Sequence, residues 1–451
     1  EKMEDVVVLY SGTAHLNSIK DLAVFIGNHH PSISVILMSF DPVAPDFTAT
    51  PSVTYHFFPT PEIPPEIKSD HVGLYFEIPR LNNSRLKETL RRISEKSRLR
   101  AIVIDFFCTA AFEVSSELGI PSYYCHTSGA SGLAAMLYWP TIHENIAAGA
   151  AELDDFVVVP GCPAIPTSEL PWMMRSLEGH VYELFLGMAM NARKSDGIVC
   201  FTFNALEFRA IEAITNGLCV PEGRSPPIYP IGPFIGAPES MGGGERHDCL
   251  RWLDLQPRKS VVFLCFGRWG KFSGEQLKEI ANGLENSGLR FLWVVRNPPE
   301  ILAGAAEEPD LEALLPEGFL ERTRQTGFVL KSWAPQTEVL AHDSVGGFVS
   351  HCGHNSILEA AANGVPIIGW PLYAEQRMNR VFLVEEIGLA LPLEEGTGGL
   401  VTAAELEKRV RELMESKTGR ELRRRAEELK HSAAAALKPG GSSVVNLEKF
   451  I

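Results

Sequence analysis

Short apolar runs alternate along the chain with longer segments whose apolar residues recur at helical spacing. DVVVLYSG (5–12) leads into SIKDLAVFIGNHH (18–30), SISVILMSF (32–40) follows, and LRAIVIDFF (99–107) precedes TAAFEVSSELG (109–119). The same order returns in SVVFLCFG (260–267), SGEQLKEIANGLENSG (273–288) and RFLWVVR (290–296), and again in SHCGHNSILEAAANGVPIIGW (350–370). Runs of four to eight apolar residues read as buried strands, and the 3.6-residue period reads as helix. Strand, helix, strand in repetition predicts parallel sheets with helices on both faces, an α/β fold. Periodicity vanishes where prolines and glycines crowd, in PPIYPIGPFIGAPESMGGGERHD (226–248). The expected division is therefore a domain over 1–235, a linker over 236–247, a second domain over 248–432 and a tail over 433–451 packing back on the first. Two Rossmann-like domains would face each other across a cleft. PPEILAGAAEEPDLEALLPEG (298–318) is acidic and bounded by prolines, which predicts a surface insertion. SKTGRELRRRAEELKHSAAAALKPGGSS (416–443) predicts a charged helix with a solvated face, ending at Lys438-Pro439-Gly440.

A chain of 451 residues is too long for a single core. Its formal net charge of -15 argues against nucleic acid or an anionic membrane surface as partner, since both select basic patches. The eight cysteines lack CxxC spacing, and several sit inside apolar runs; they read as reduced core residues of a cytoplasmic protein rather than disulfides or a zinc site. No apolar run is long enough to span a bilayer, and the first is too short for a signal peptide. Met3 is the expected natural start, with Glu1 and Lys2 ahead of it.

Three places carry candidate chemistry. His15 stands at the mouth of the loop that follows the first strand, where open α/β sheets bind ligands. Asp105 closes a later apolar strand at the same edge, and a carboxylate there needs a partner. A histidine oriented by a carboxylate is a good general base, although spacing alone does not bring the two together. The third place is the loop SHCGHNS (350–356), which feeds a helix N-terminus, where unpaired N–H groups and the helix dipole make an anion site. His351, Asn355 and Ser356 would point hydrogen-bonding groups at that anion; simple helix capping by Asn355 or Ser356 is compatible with the same position. No GxGxxG follows the first strand, no GxxxxGK[ST] occurs, and no DxD pair is present, which disfavours dinucleotides, P-loop chemistry and an aspartate-bound metal.

Trp333 to Gln376, WAPQTEVLAHDSVGGFVSHCGHNSILEAAANGVPIIGWPLYAEQ, closely resembles the signature box of the plant family 1 UDP-glycosyltransferases. GTAHL, DFFC, IGP, LRWLD and SVVFLCFG agree along most of the chain. The resemblance implies the GT-B architecture, with the acceptor mainly in the first domain and the UDP-sugar mainly in the second. It implies that Trp333 stacks on uracil, Gln336 lies near uracil and ribose, and Glu359 accepts from the ribose hydroxyls. It assigns the diphosphate to His351, Asn355 and Ser356, the sugar hydroxyls to Glu375 and Gln376, and adds Ala334, Gly353 and Tyr373 to the donor site. Thr127, in CHTSG, matches a hydroxyl that meets the sugar from the other domain. Outside this context Trp333 would read as a core aromatic. His15 would be the base and Asp105 its partner, with inversion at the anomeric carbon, no metal or other cofactor, and a monomer acting on a flavonoid or related phenol.

DVVVLYS, HLNS, PEIPPEI, FEIPRL, DFFCTAAFEV, FLCFGRWGKFS and TAAELEKRVRELMES look like the branch holding flavonoid 7-O-glucuronosyltransferases and a related chalcone glucosyltransferase. Most family members carry Trp where His354 stands, and glucuronosyltransferases of the branch carry Arg, whose fixed cation can pair with a uronate. His354 is neither; either it reaches the sugar's C6 substituent or it fills the space of the tryptophan. Arg268, in FGRWG, replaces a small residue and could meet diphosphate, uronate or solvent. Thr127 leans towards glucose as the sugar, with glucuronate as the alternative. A non-catalytic nucleotide-sugar-binding protein and a dinucleotide oxidoreductase are the competing classes. His15 with Asp105 counts against the first, and the missing glycine fingerprint against the second.

Overall fold

The computed structural model describes residues 4–68, 70–149, 153–235, 246–299 and 308–451. Met3, nearly all of the expected linker and the middle of the 298–318 segment lie outside them. The chain forms two compact units, one of Glu1–Phe234 with Ala436–Ile451, the other of Ile235–Ala435.

Among the described residues, nine strands belong to the first unit: β1 (Asp5–Tyr10), β2 (Ser34–Ser39), β3 (Val53–Phe57), β4 (Arg98–Asp105), β5 (Ser122–His126), β6 (Phe156–Val157), β7 (Ile165–Pro166), β8 (Gly197–Cys200) and β9 (Ile228–Pro230). Seven make one sheet in the order β3-β2-β1-β4-β5-β8-β9, all neighbours parallel, while β6 and β7 form a separate antiparallel pair. β1 and β4 are central, and Val6 to Tyr10 and Ala101 to Asp105 are buried. A strand covered on both faces must be apolar throughout, which is why these runs do not alternate. The following helix, Leu16–His29, buries Leu16, Ile19, Leu22, Ala23 and Ile26, one stripe at helical period. Each such leucine or isoleucine contributes about 1.5–3 kcal/mol by leaving water.

The second unit holds β10 (Val261–Cys265), β11 (Arg290–Val295), β12 (Gly327–Lys331), β13 (Val345–Ser350), β14 (Ile367–Gly369) and β15 (Ala390–Pro392). Its sheet is also wholly parallel, in the order β12-β11-β10-β13-β14-β15. Helix Gly274–Ser287 is capped by Ser273, whose hydroxyl accepts from the Gln276 N–H, and stops at Gly288 with φ +63. Each sheet therefore reverses its winding once, at β1/β4 in the first unit and at β10/β13 in the second. Loops leaving adjacent strands at such a point diverge and open a crevice at the strands' carboxyl ends.

One expectation needs correction. The 298–318 segment is not wholly a surface insertion: Asp310 caps a short helix, Leu311–Leu314, and Leu314 and Leu315 enter the core cluster of the second unit. The charged tail helix, Lys417–Ala436, buries one stripe, Leu422, Ala426, Leu429 and Ala433, opposite the solvated face expected of it. Charge density on the outer face masked that stripe. Beyond it, helix Ser442–Phe450 packs on β9 in the first unit: the Ser443 hydroxyl donates to the Gly232 carbonyl, Asn446 Nδ2 donates to the Pro230 carbonyl at 2.9 Å, and the Phe450 ring meets Tyr123 at 4.9 Å.

Candidate functional site

β1 ends at Tyr10, and a short turn, Thr13–His15, carries His15 to the start of its helix. β4 lies beside β1 and ends at Asp105. The two side chains, 90 residues apart, meet at the switch point with His15 Nδ1 2.7 Å from Asp105 Oδ1. Asp105 is fully buried, its other oxygen accepts from the Gly12 N–H at 3.2 Å, and the imidazole keeps 21% of its side-chain surface exposed. The carboxylate thus turns Nε2 away from itself, the arrangement a general base needs. Phe107 lies parallel to the imidazole with ring centroids 4.9 Å apart, and Phe106 is tilted at the same distance. Tyr75, partly exposed, stacks on the far side of Phe107, so the base stands among aromatic rings that suit a flat phenolic ligand. Cys108 and Cys125 near Asp105 have their thiol pKa values pushed well up, first by burial and then by that carboxylate, and stay protonated. Thr127 is buried just beyond β5, ahead of helix Ala130–Ala147.

In the second unit the loops after β10 and β13 hold the corresponding place. β13 passes into His351 and Cys352, and helix His354–Asn363 begins at once with Gly353 as its N-cap. Asn355 and Ser356 are therefore second and third in the helix, and neither caps it; the two apolar residues after Ser356 suggested a later start than the backbone takes. His351 is buried, 7% exposed, and its Nδ1 finds no hydrogen-bond partner among the described residues. Its ring occupies a slot that only glycines leave open: a Cβ on Gly267 would fall 2.4 Å from His351 Nε2, and one on Gly353 2.5 Å. Gly267 also has φ +71, which other residues rarely adopt. Burial, and then the Arg296 charge, lower the His351 pKa to about 4, so the imidazole is neutral at physiological pH. An imidazole that is neutral, desolvated and lacking an acceptor is a hydrogen-bond donor awaiting one.

One network joins three expected residues: Gln336 Nε2 donates to Ser356 Oγ at 2.9 Å and to Glu359 Oε2 at 2.7 Å. Ser356 and Glu359 share a helix face by their spacing of three. Trp333 is 37% exposed, not a core aromatic, and meets the His247 ring edge to face at 5.7 Å. Ala334 beside it is buried. Gln376 is buried, and its Oε1 accepts from the N–H groups of Leu372 and Tyr373, both at 2.9 Å. Glu375 is half-buried before helix Gln376–Val381, and Tyr373 is partly exposed with its ring 6.2 Å from His351. His354 is buried at 7% exposure in the helix's first turn, and Arg268 is exposed. Sequence reasoning passed over His247 and Arg296; the only signal for Arg296 is a cation ending an apolar strand, the mirror of Asp105.

All eight cysteines are free and buried. Among the described residues no group of three or more His, Cys, Asp or Glu could hold a metal ion, and no helix is long and apolar enough to cross a membrane.

Residues 234–434 match the family model described as UDP-glucoronosyl and UDP-glucosyl transferase. The chain is 53% identical over 433 residues to the baicalein 7-O-glucuronosyltransferase of Scutellaria baicalensis, covering 95% of this chain and 98% of that one. It is 44% identical to the anthocyanidin 5,3-O-glucosyltransferase of a Rosa hybrid cultivar, covering 99% and 98%. Its structure is similar to that of Phytolacca americana UGT2 complexed with UDP-2-fluoro-glucose and pterostilbene, at TM-score 0.86 and 33% identity, covering 99% of this chain and 98% of that chain.

Proposed function

The chain belongs to the plant UDP-glycosyltransferases, and from that premise we propose that it moves glucose from UDP-glucose to a phenolic hydroxyl of a flavonoid-type acceptor, the 7-hydroxyl first among them. The observation that carries the reading is the pair at the first switch point: an imidazole about a fifth exposed, held through Nδ1 by a buried carboxylate, among aromatic rings. His15 takes the proton from the acceptor hydroxyl through Nε2. Asp105 stabilises the imidazolium that forms, and the phenolate oxygen attacks the anomeric carbon opposite the departing UDP, inverting it. A phenol suits one histidine as base, because its proton leaves far more easily than that of an aliphatic alcohol.

The second unit takes the donor nucleotide. Trp333 offers its exposed face to uracil, while Gln336 and Glu359 receive the ribose. His351 donates to the diphosphate from its unpartnered edge, beside the start of helix His354–Asn363, whose dipole favours the same anion. Asn355 and Ser356 add donors there, and Gly353 lets the chain approach closely. Glu375, Gln376 and Thr127 are the proposed sugar contacts. No metal enters this scheme, so EDTA should leave the rate unchanged; activity lost to EDTA and restored by magnesium would refute that part. The eight reduced thiols suit a cytosolic setting and the protein is taken to act as a monomer.

Glucuronate from UDP-glucuronate is the second reading, favoured by the glucuronosyltransferase relative at 53% identity. His354 does not offer the fixed cation that a uronate would want, which keeps glucose first. The test is a matrix of UDP-glucose and UDP-glucuronate against flavones, flavonols and chalcones, with products identified by mass and position. Absence of any glycoside would sink the assignment, and a glucuronide as main product would reverse the order of donors.

A further inference from the structure

Arg296 follows β11 and is half-buried, yet no carboxylate lies within ion-pair distance of it among the described residues. Its guanidinium instead donates to two backbone carbonyls on different loops: Nε to Ser332 at 3.0 Å, and Nη1 to Arg268. Ser332 holds a left-handed backbone, φ +63, immediately before Trp333. Arg268 follows Gly267, the residue that gives His351 its slot. One planar side chain therefore ties the loop of the exposed tryptophan to the loop against which the unpartnered histidine rests. The Arg296 charge is felt at His351, Cys265 and Tyr373, which surround the same switch point. Among the described residues, a half-buried cation without a counter-ion beside a buried donor without an acceptor describes a place prepared for an anion.

We propose that Arg296 is a positioning residue for the donor diphosphate, locking the Gly267–Arg268 and Ser332–Trp333 loops in register and supplying the fixed positive potential that the β-phosphate meets. The inference rests on the reading of this unit as the UDP-sugar half. The fork geometry does the locking and the charge favours the second phosphate, so the two can be separated by substitution.

The experiment is calorimetric titration of the full chain with UDP and with UMP. Wild type should bind UDP more tightly than UMP. Arg296→Gln should erase roughly tenfold of that preference, the scale of one charge-assisted contact. Arg296→Lys keeps the charge but cannot serve both carbonyls in one plane; it should weaken UDP and UMP alike while holding their ratio within about twofold of wild type, since the cation remains. An unchanged UDP-to-UMP ratio in Arg296→Gln overturns the electrostatic role, and unchanged affinity for both ligands in Arg296→Lys overturns the locking role. Should Arg296→Gln fail to fold, Arg296→Lys with its retained charge still decides the second point, and the first is read from Arg296→Met, which keeps the stem and removes the cation. A wild type that binds neither UDP nor UMP would instead remove the donor reading itself.

Discussion

At the switch point of the first sheet, His15 keeps a fifth of its side chain exposed and shares Nδ1 with the buried Asp105; at that of the second, His351 is buried, with no carboxylate against it among the described residues and a cation nearby. The two sheets have the same topology at these points, one central strand followed by its neighbour across the reversal. Surroundings alone separate the roles. A carboxylate beside an imidazole favours the proton, so His15 can accept one and be stabilised when it does. Burial and a neighbouring arginine disfavour it, so His351 stays neutral and has one N–H to donate. The proposed reading makes the same residue, at equivalent places, the base in one unit and a neutral donor in the other.

Removing the base tests this division most severely. His15→Ala should lower turnover by about 10²–10⁴ while leaving UDP affinity close to wild type, as seen by pairing a glycoside assay with calorimetry. Near-normal turnover would break the comparison at its first limb. Asp105→Asn should cost less, about 10- to 100-fold in turnover, because the ring stays oriented while the imidazolium loses its counter-charge. A loss as large as that of His15→Ala would mean that Asp105 matters to folding of the loop as much as to charge.

The second limb is sharpened by stability against pH. The folded pKa of His351, about 4, lies below the ordinary 6.5 of an unfolded chain. Between these values the unfolded state binds a proton that the folded state refuses, so stability is lost as pH falls from 6.5 towards 4 and the loss levels off below that. The full effect is about 3 kcal/mol at most for a shift of this size. Denaturant midpoints of wild type and His351→Asn across this window should converge as pH drops; parallel curves would show that His351 is not held neutral by the fold.

The smallest effect is expected at His354. Its replacement by arginine should raise use of UDP-glucuronate relative to UDP-glucose by up to about tenfold if the side chain reaches the sugar, since a partly solvated ion pair is worth about 1 kcal/mol. Burial at 7% exposure argues that the position also carries packing, so the readout is the donor ratio rather than the absolute rate. A ratio unmoved by the substitution makes His354 a packing residue and passes the donor question to Thr127.

The strand and helix pattern and the parallel class were legible in sequence, because periodicity is a local property of the chain. Gln336 and Glu359 were named through the resemblance of their stretch to a family, while the network that joins them to Ser356 appears only in the fold. What the sequence by itself determined stops there. That His15 meets Asp105 across 90 residues depends on β1 and β4 being neighbours, and strand order is decided by how whole units pack. The acidic 298–318 segment and the charged tail both hid apolar residues that only a core from elsewhere could claim. The neutral state of His351, the slot between Gly267 and Gly353, and the bridge made by Arg296 likewise belong to tertiary structure alone. Desolvation and the distance to a charge are set by residues remote in sequence, and no local pattern encodes them.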